Sequence, residues 1–289
     1  MERIERLTII GVGLIGGSLA RALKAAGVVG EIVGAGRRSG PLERALELGV
    51  IDRWDTDLPR AVAGADMVLV AVPLGAVFKV IAAVADHLPE DCILTDAGSA
   101  KGCVVEDVRR VFGRLPSRFV PGHPIAGTEK SGVEASFAEL YRNRRVILTP
   151  LAETEAEAHE KVRWMWQAAG AEVVDMGVEH HDQVLAATSH LPHVLAYCLV
   201  DSLARLDDRA EIFRYAAGGF RDFTRIASSH PQMWHDICLA NRRPLLAMIE
   251  RFQVDLNRIS AALEQGNGET VLEIFLRAKR ARDNLYHLE

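Results

Sequence analysis

Cysteine is scarce and never paired. Cys92, Cys103, Cys198 and Cys238 stand far apart with no Cys-x-x-Cys spacing, which argues against a zinc cluster or a disulfide framework and points to a reducing compartment, the cytoplasm. The chain also lacks an apolar run of about 20 residues, the length a membrane-spanning helix needs. Its charged start, Met1-Glu2-Arg3-Ile4-Glu5-Arg6, leaves no room for a signal peptide. Excess positive charge is missing as well. A net charge of -5 and a pI near 6.1 argue against nucleic acid as a partner, so any anionic ligand must meet a local basic site. What is present is the composition of a globular protein, 49% hydrophobic and 25% charged, and at 289 residues two domains are expected.

Leu7-Thr8-Ile9-Ile10 is a short apolar run that ends at Gly11-Val12-Gly13-Leu14-Ile15-Gly16, after which Leu19, Ala20, Leu23 and Ala26 recur at helical spacing. Strand, tight turn and helix in that order turn a weak G-x-G-x-x-G pattern into an expected dinucleotide site. Gly11 permits the turn, Gly13 lets backbone approach a pyrophosphate, Gly16 allows close helix packing, and Leu14 and Ile15 open a helix whose N–H groups favour an anion. A merely tight turn is the plainer alternative. The next strand, residues 31–35, ends without the acid that would bind the ribose of NAD. It runs instead into Gly36-Arg37-Arg38-Ser39, which suits a 2'-phosphate, so NADP is favoured over NAD; a solvated loop is the alternative for the two arginines.

Helices are expected over 41–48, 75–87, 101–112 and 153–169, and strands over 67–72, 92–96, 145–149 and 172–175. This alternation predicts an α/β fold: a Rossmann-type, mostly parallel sheet over residues 1–177 with right-handed crossovers. Val72, Pro73 and the loop 96–101 fall at the carboxyl ends of strands, where ligands bind. In that loop Ser99 is either a helix cap or a substrate contact, and Lys101 reads as structural or peripheral.

From residue 178 no strand signal remains, so residues 178–289 are expected to form an all-helical domain. Ser189-His190-Leu191-Pro192-His193 lies in a helical pattern over 178–206 that proline should bend. His190 and His193 share a helical face, but no carboxylate stands at ligand spacing and no metal is expected. Gly218-Gly219 breaks helix ahead of Asp222 and Arg225, which form either a surface ion pair or, through Arg225, a clamp for a substrate carboxylate. Leu239, Leu246, Ile249, Phe252, Leu256, Ile259 and Leu263, then residues 272–288, make an apolar stripe suited to a homodimer interface.

Between the two halves lies Gly122-His123-Pro124-Ile125-Ala126-Gly127-Thr128-Glu129-Lys130. A histidine in a loop bounded by glycine and proline is by itself a solvated or structural residue. Aimed into a cleft by that irregular backbone it can serve as a base, since imidazole titrates near 6.5.

Three stretches together, the glycine loop through Leu19, the segment Gly122 to Glu129, and Ser189-His190-Leu191-Pro192-His193 with Asp222-Phe223-Thr224-Arg225, resemble the prephenate/arogenate dehydrogenases of tyrosine biosynthesis. The resemblance spans nearly the whole chain. It implies oxidative decarboxylation of a cyclohexadienol, with hydride passing from ring C4 to the nicotinamide of NAD(P), loss of the C4 hydroxyl proton and departure of CO2. His123 matches the family's catalytic histidine, Ser99 its hydroxyl partner and Arg225 its carboxylate-binding arginine. His190, Thr128, Glu129, Gly218 and Asp222 match positions that line or gate the pocket, the last two as candidates for reaching across a dimer. The sequence departs from NAD-specific members at Gly36-Arg37-Arg38. The resemblance to members that carry a tyrosine-sensing domain or a fused mutase stops at the last helix, so any feedback inhibition is expected to act at the active site. Two other readings are a beta-hydroxyacid dehydrogenase, whose Lys and Asn one helical turn apart are missing from the second half, and a non-catalytic NADP-sensing dimer.

Overall fold

Short aliphatic and β-branched runs supply the strands of the computed structural model, which describes residues 3–285. β1 (Ile4–Ile10), β2 (Val29–Ala35), β3 (Arg53–Asp55), β4 (Met67–Val70), β5 (Ile93–Asp96) and β6 (Phe119–Val120) pair in parallel in the order β3-β2-β1-β4-β5-β6. Between them run α1 (Leu14–Ala26), α2 (Ser39–Glu47), α3 (Leu58–Val62), α4 (Leu74–Val84) and α5 (Gly102–Phe112). Side chains alternate between the faces of a strand. Ile9 and Leu69 accordingly join one buried cluster, with Leu19 and Leu23 of α1. Ile10, Val68 and Val70 join a second, with Val77 of α4 and Val104 of α5. The sheet is thus covered on both faces, and its strand order reverses between β1 and β4, the place where doubly wound sheets bind dinucleotides.

A second sheet holds β7 (Gly122–Pro124), β8 (Arg145–Leu148) and β9 (Glu172–Asp175), with α6 (Ala156–Ala168) between the last two. β7 runs antiparallel to β8, His123 opposite Ile147, and β8 is parallel to β9. The stretch expected as an irregular loop therefore begins as a strand. Three residues carry no readable period, and Pro124 sits at the strand's end, where a missing N–H is tolerated.

Helices follow: α7 (Val178–Leu185), α8 (Leu191–Ala204), α9 (Arg209–Arg214), α10 (Gly218–Thr224), α11 (Pro231–Ala240), α12 (Arg242–Glu264) and α13 (Gly268–Leu285). The irregularity expected at Pro192 lies ahead of it, as a π-helical turn over Ala186–His190 that joins α7 to α8. Pro192 itself falls in the first turn of α8, where no N–H is needed. By contacts the chain divides into two compact units, one ending at Arg242 and one beginning at Arg243. The part of the expected final helix beyond residue 285 lies outside the described residues. Among those residues no helix is long and apolar enough to cross a membrane.

Candidate active site

The glycine loop connects β1 to α1. Gly11 has φ 101°, and a Cβ there would come within 2.4 Å of the Ala71 carbonyl oxygen; at Gly16 it would stand 2.5 Å from the Gly11 oxygen. Only glycine fits at either position without moving backbone. Gly13 differs, because a Cβ would meet nothing within 4 Å, so the space above it is open. No side chain caps α1, and its first-turn bond runs from Gly17 N–H to the Gly13 carbonyl, leaving the N–H groups of Leu14, Ile15 and Gly16 for an anion. The starts of α4 and α5 are occupied by contrast. Asp182 of α7 accepts from the N–H groups of Lys101 and Gly102, 2.8 Å each. Asp236 of α11 stands beside Gly75, its Oδ2 2.9 Å from where a Cβ would be. Val72 and Pro73 flank the open loop at the end of β4. Arg37 and Arg38, just past β2, and Ser39, the first residue of α2, are exposed, and among the described residues neither arginine has an ion-pair or hydrogen-bond partner.

At the end of β5, Asp96 and Lys101 form a fully buried ion pair. Together they hold both backbone polar groups of one residue. Gly122 N–H donates to Asp96 Oδ1 at 3.2 Å, and Lys101 Nζ donates to the Gly122 carbonyl at 2.6 Å. Lys101 is therefore structural and wholly buried, not peripheral. His123, the next residue, has its Nδ1 2.9 Å from His181 Nε2, and His181 Nδ1 lies 2.8 Å from Asp182 Oδ1. His123 Nε2 makes no hydrogen bond within the described chain. Burial first, then His181, Lys101 and His190, hold the His123 ring well below the usual histidine range, so it is neutral at physiological pH. Burial raises the Asp182 carboxyl, but its hydrogen bonds from His181, Lys101 and Gly102 outweigh this and keep it below the usual range.

His190 is buried, with Nδ1 3.0 Å from Asn241 Nδ2, which also donates to the Asp182 carbonyl at 2.8 Å. The amide nitrogen is a donor, so His190 Nδ1 accepts and Nε2 carries the hydrogen. That Nε2 has no hydrogen-bond partner although it is buried. Burial pushes the ring down to about 4, opposed in part by Asp182 and the Ser99 backbone. His193 instead stacks on Trp234, ring centroids 3.5 Å apart. Ser99 is half-buried in the loop beside His190 and, among the described residues, makes no side-chain hydrogen bond. Its expected capping role is filled by Asp182, whose two oxygens reach the start of α5 better than one hydroxyl.

Arg225, just past α10 on a short 3-10 turn, pairs with Glu129, and their side chains are 63% and 38% exposed. The surface pair expected between Asp222 and Arg225 is not formed. Thr128 Oγ1 accepts from Lys130 N–H at 3.2 Å and so ties the loop carrying Glu129. Gly218 and Asp222 lie exposed on α10; among the described residues Asp222 has no hydrogen bond or ion pair. His123, Ser99 and His190 thus converge, Glu129 and Arg225 form a second pair, and Gly218 and Asp222 join neither group through a polar contact. His181, Asp182 and Asn241 carry much of the geometry and were not singled out from sequence. The adjacent His181-Asp182 at a helix start was the available signal.

Two family models match the chain: the nucleotide-binding domain of prephenate dehydrogenase over residues 19–175 and the dimerization domain of prephenate dehydrogenase over residues 177–277. A cyclohexadienyl dehydrogenase of Zymomonas mobilis is 42% identical over 287 residues, 98% of this chain and 96% of that protein. Among solved structures, prephenate dehydrogenase of Aquifex aeolicus in complex with hydroxyphenyl propionate and NAD+ superposes with a TM-score of 0.91 at 37% identity, covering 98% of each chain. An arogenate dehydrogenase of Synechocystis superposes with a TM-score of 0.81 at 25% identity, over 97% of this chain and 99% of that one.

Proposed function

The chain belongs to the prephenate dehydrogenase family, and from that premise we propose that it oxidatively decarboxylates prephenate, arogenate or both in tyrosine biosynthesis. The observation that carries this reading is His123: a neutral imidazole with one nitrogen bonded to His181 and the other free, tied through Gly122 to the sheet edge where the uncapped glycine loop also ends.

Bound NAD or NADP supplies the hydride acceptor. Gly11, Gly13 and Gly16 shape its cradle, and the N–H groups of Leu14 and Ile15 meet its phosphates. The remaining chemistry belongs to this chain's side chains. His123 Nε2 takes the proton of the C4 hydroxyl as carbonyl character develops there, and returns it to the oxygen as CO2 leaves and the ring becomes a phenol. Ser99 bonds the same oxygen. Arg225 exchanges Glu129 for a substrate carboxylate, and the His190 ring lines the pocket as a second polar contact for the substrate. Thr128 and Glu129 hold the loop above the pocket.

NADP is the favoured cofactor, because Arg37 and Arg38 are free and no acid ends β2. The helical region from residue 178 onward is read as the substrate-binding and dimerisation domain, following residues 1–177. Within the unit beginning at Arg243, Val254, Leu263, Leu272 and Phe275 are large apolar side chains in water, which supports a homodimer through these helices; Gly218 and Asp222 of a partner could then complete the pocket. A cytoplasmic location fits the unpaired cysteines. The test is a grid: prephenate or arogenate, each with NAD or NADP, following nicotinamide reduction and identifying the aromatic product by mass. Turnover of at least one cyclohexadienol, with the higher kcat/KM on NADP, is expected. No reduction in any of the four mixtures removes the proposal, and a preference for NAD removes its cofactor part.

A further inference from the structure

Asp182, His181 and His123 form a linear series of buried polar groups. Asp182 Oδ1 lies 2.8 Å from His181 Nδ1, and His181 Nε2 lies 2.9 Å from His123 Nδ1. We infer that His181 and Asp182 are positioning residues for the base: the carboxylate fixes the tautomers of two imidazoles in turn, so that the lone pair of His123 Nε2 faces the substrate hydroxyl. This rests on reading His123 as that base.

The logic is one of donors and acceptors. An ionised carboxylate only accepts, so the His181 nitrogen beside it must carry hydrogen. A neutral ring with hydrogen on Nδ1 has its lone pair on Nε2. His181 Nε2 is therefore an acceptor, and the His123 nitrogen facing it must be the donor. That leaves His123 Nε2 as the basic atom, on the side of the ring with no partner among the described residues. Asp182 is itself held in its acceptor state by the N–H groups of Lys101 and Gly102, and Asn241 fastens its backbone carbonyl. The alternative tautomer of His123 would point N–H at the hydroxyl and could not take its proton.

The same series keeps the ring hydrogen-bonded while it carries charge. When His123 Nε2 accepts the hydroxyl proton it becomes an imidazolium whose Nδ1–H stays on His181 Nε2, and the proton returns to oxygen when the phenol forms, so none leaves the chain. Burial opposes that charge, and so do His181 itself, Lys101 before α5 and His190 at the end of the π-helical turn. Asp96 pairs with Lys101, and the Asp182 carboxylate closes the series on the far side of His181 from the new cation.

The test uses the protein with its dinucleotide bound and 15N-labelled histidine. Nuclear magnetic resonance should show His123 protonated on Nδ1 in the wild type, and predominantly on Nε2 in His181→Met. In the same His181→Met protein kcat should fall about 10²-fold, with substrate KM changed less than about threefold. His181→Gln, whose amide oxygen can accept from His123 Nδ1, should recover about tenfold of that loss. Thermal unfolding of each variant separates these effects from misfolding. Three results would each overturn the inference: a wild-type His123 protonated on Nε2, near-normal kcat in His181→Met, or a Gln variant as impaired as the Met variant. Because the resonance reads the tautomer without substrate, a wild type that turns over neither cyclohexadienol would sink the functional reading alone.

Discussion

Imidazole in water is half-protonated near pH 6.5, yet His123 stays neutral because burial, His181 and a neighbouring lysine all disfavour its cation. A base that must pick up a proton and hand it back needs that neutrality together with a fixed free lone pair. At the opposite end of the proposed site, Arg37 and Arg38 show the reverse condition: charged, exposed and unpaired. Hydrogen bonds to a charged partner contribute about 1.5 to 3 kcal/mol. The double change Arg37→Ala with Arg38→Ala should therefore raise KM for NADP by roughly ten- to a hundredfold while leaving that for NAD nearly unchanged. Parallel titrations with the two cofactors check this, and equal losses on both would show that the arginines do not read the 2'-phosphate. Residues such as His123, Ser99 and Arg225 stand out as candidates in the sequence because each sits in a local pattern of glycine, proline or cap. His181 and Asp182 do not, since what gives them meaning is a contact with a residue 58 positions earlier.

At the scale of elements, the segment from α7 through the π-helical turn into α8 carries His181 and His190 and departs most from the simple pattern. Proline was visible, but the wide turn before it was not; its polar partner is non-local, Asn241 reaching the Asp182 carbonyl and the His190 ring at once. The strand β7 was hidden for a similar reason: its pairing with β8 is non-local and only three residues long. Burying neutral histidines gives the segment a pH signature. His190 is held at about 4, against a usual 6.5. As pH falls below 6.5 the unfolded chain binds the proton first, so the stabilisation is complete above 6.5 and is lost between there and about 4. At about 1.4 kcal/mol per pH unit, this one ring makes the fold weaker by on the order of 2 kcal/mol at pH 5 than at neutral pH. His181 is shifted in the same direction. Urea midpoints should fall accordingly between the two pH values in the wild type and fall less in His190→Gln. A wild-type midpoint that stays constant would contradict the burial of a neutral ring.

Across the whole molecule, the arrangement of helix N-termini decides where an anion can go. Those of α4 and α5 are met by Asp236 and Asp182, carboxylates from the helical half, and that of α1 is left open beside Gly13. The sheet order then sets the β4 end, with Val72 and Pro73, and the β5 end, with the Asp96–Lys101 pair that grips Gly122, along one edge. Alternation of strands and helices was enough to predict this doubly wound half and the helical half after it, because burial on both sheet faces leaves continuous apolar runs. Which helical carboxylates reach back to which helix starts was beyond it, since that depends on packing between distant segments. The central claim is that His123 accepts the proton in oxidation of a cyclohexadienol. It is tested most directly by single-turnover nicotinamide reduction with saturating prephenate or arogenate in the wild type and in His123→Asn, with folding checked by thermal unfolding. The account predicts a loss of roughly 10²- to 10⁴-fold in the chemical step with dinucleotide binding retained; a His123→Asn protein that reduces the cofactor at nearly the wild-type rate would contradict it.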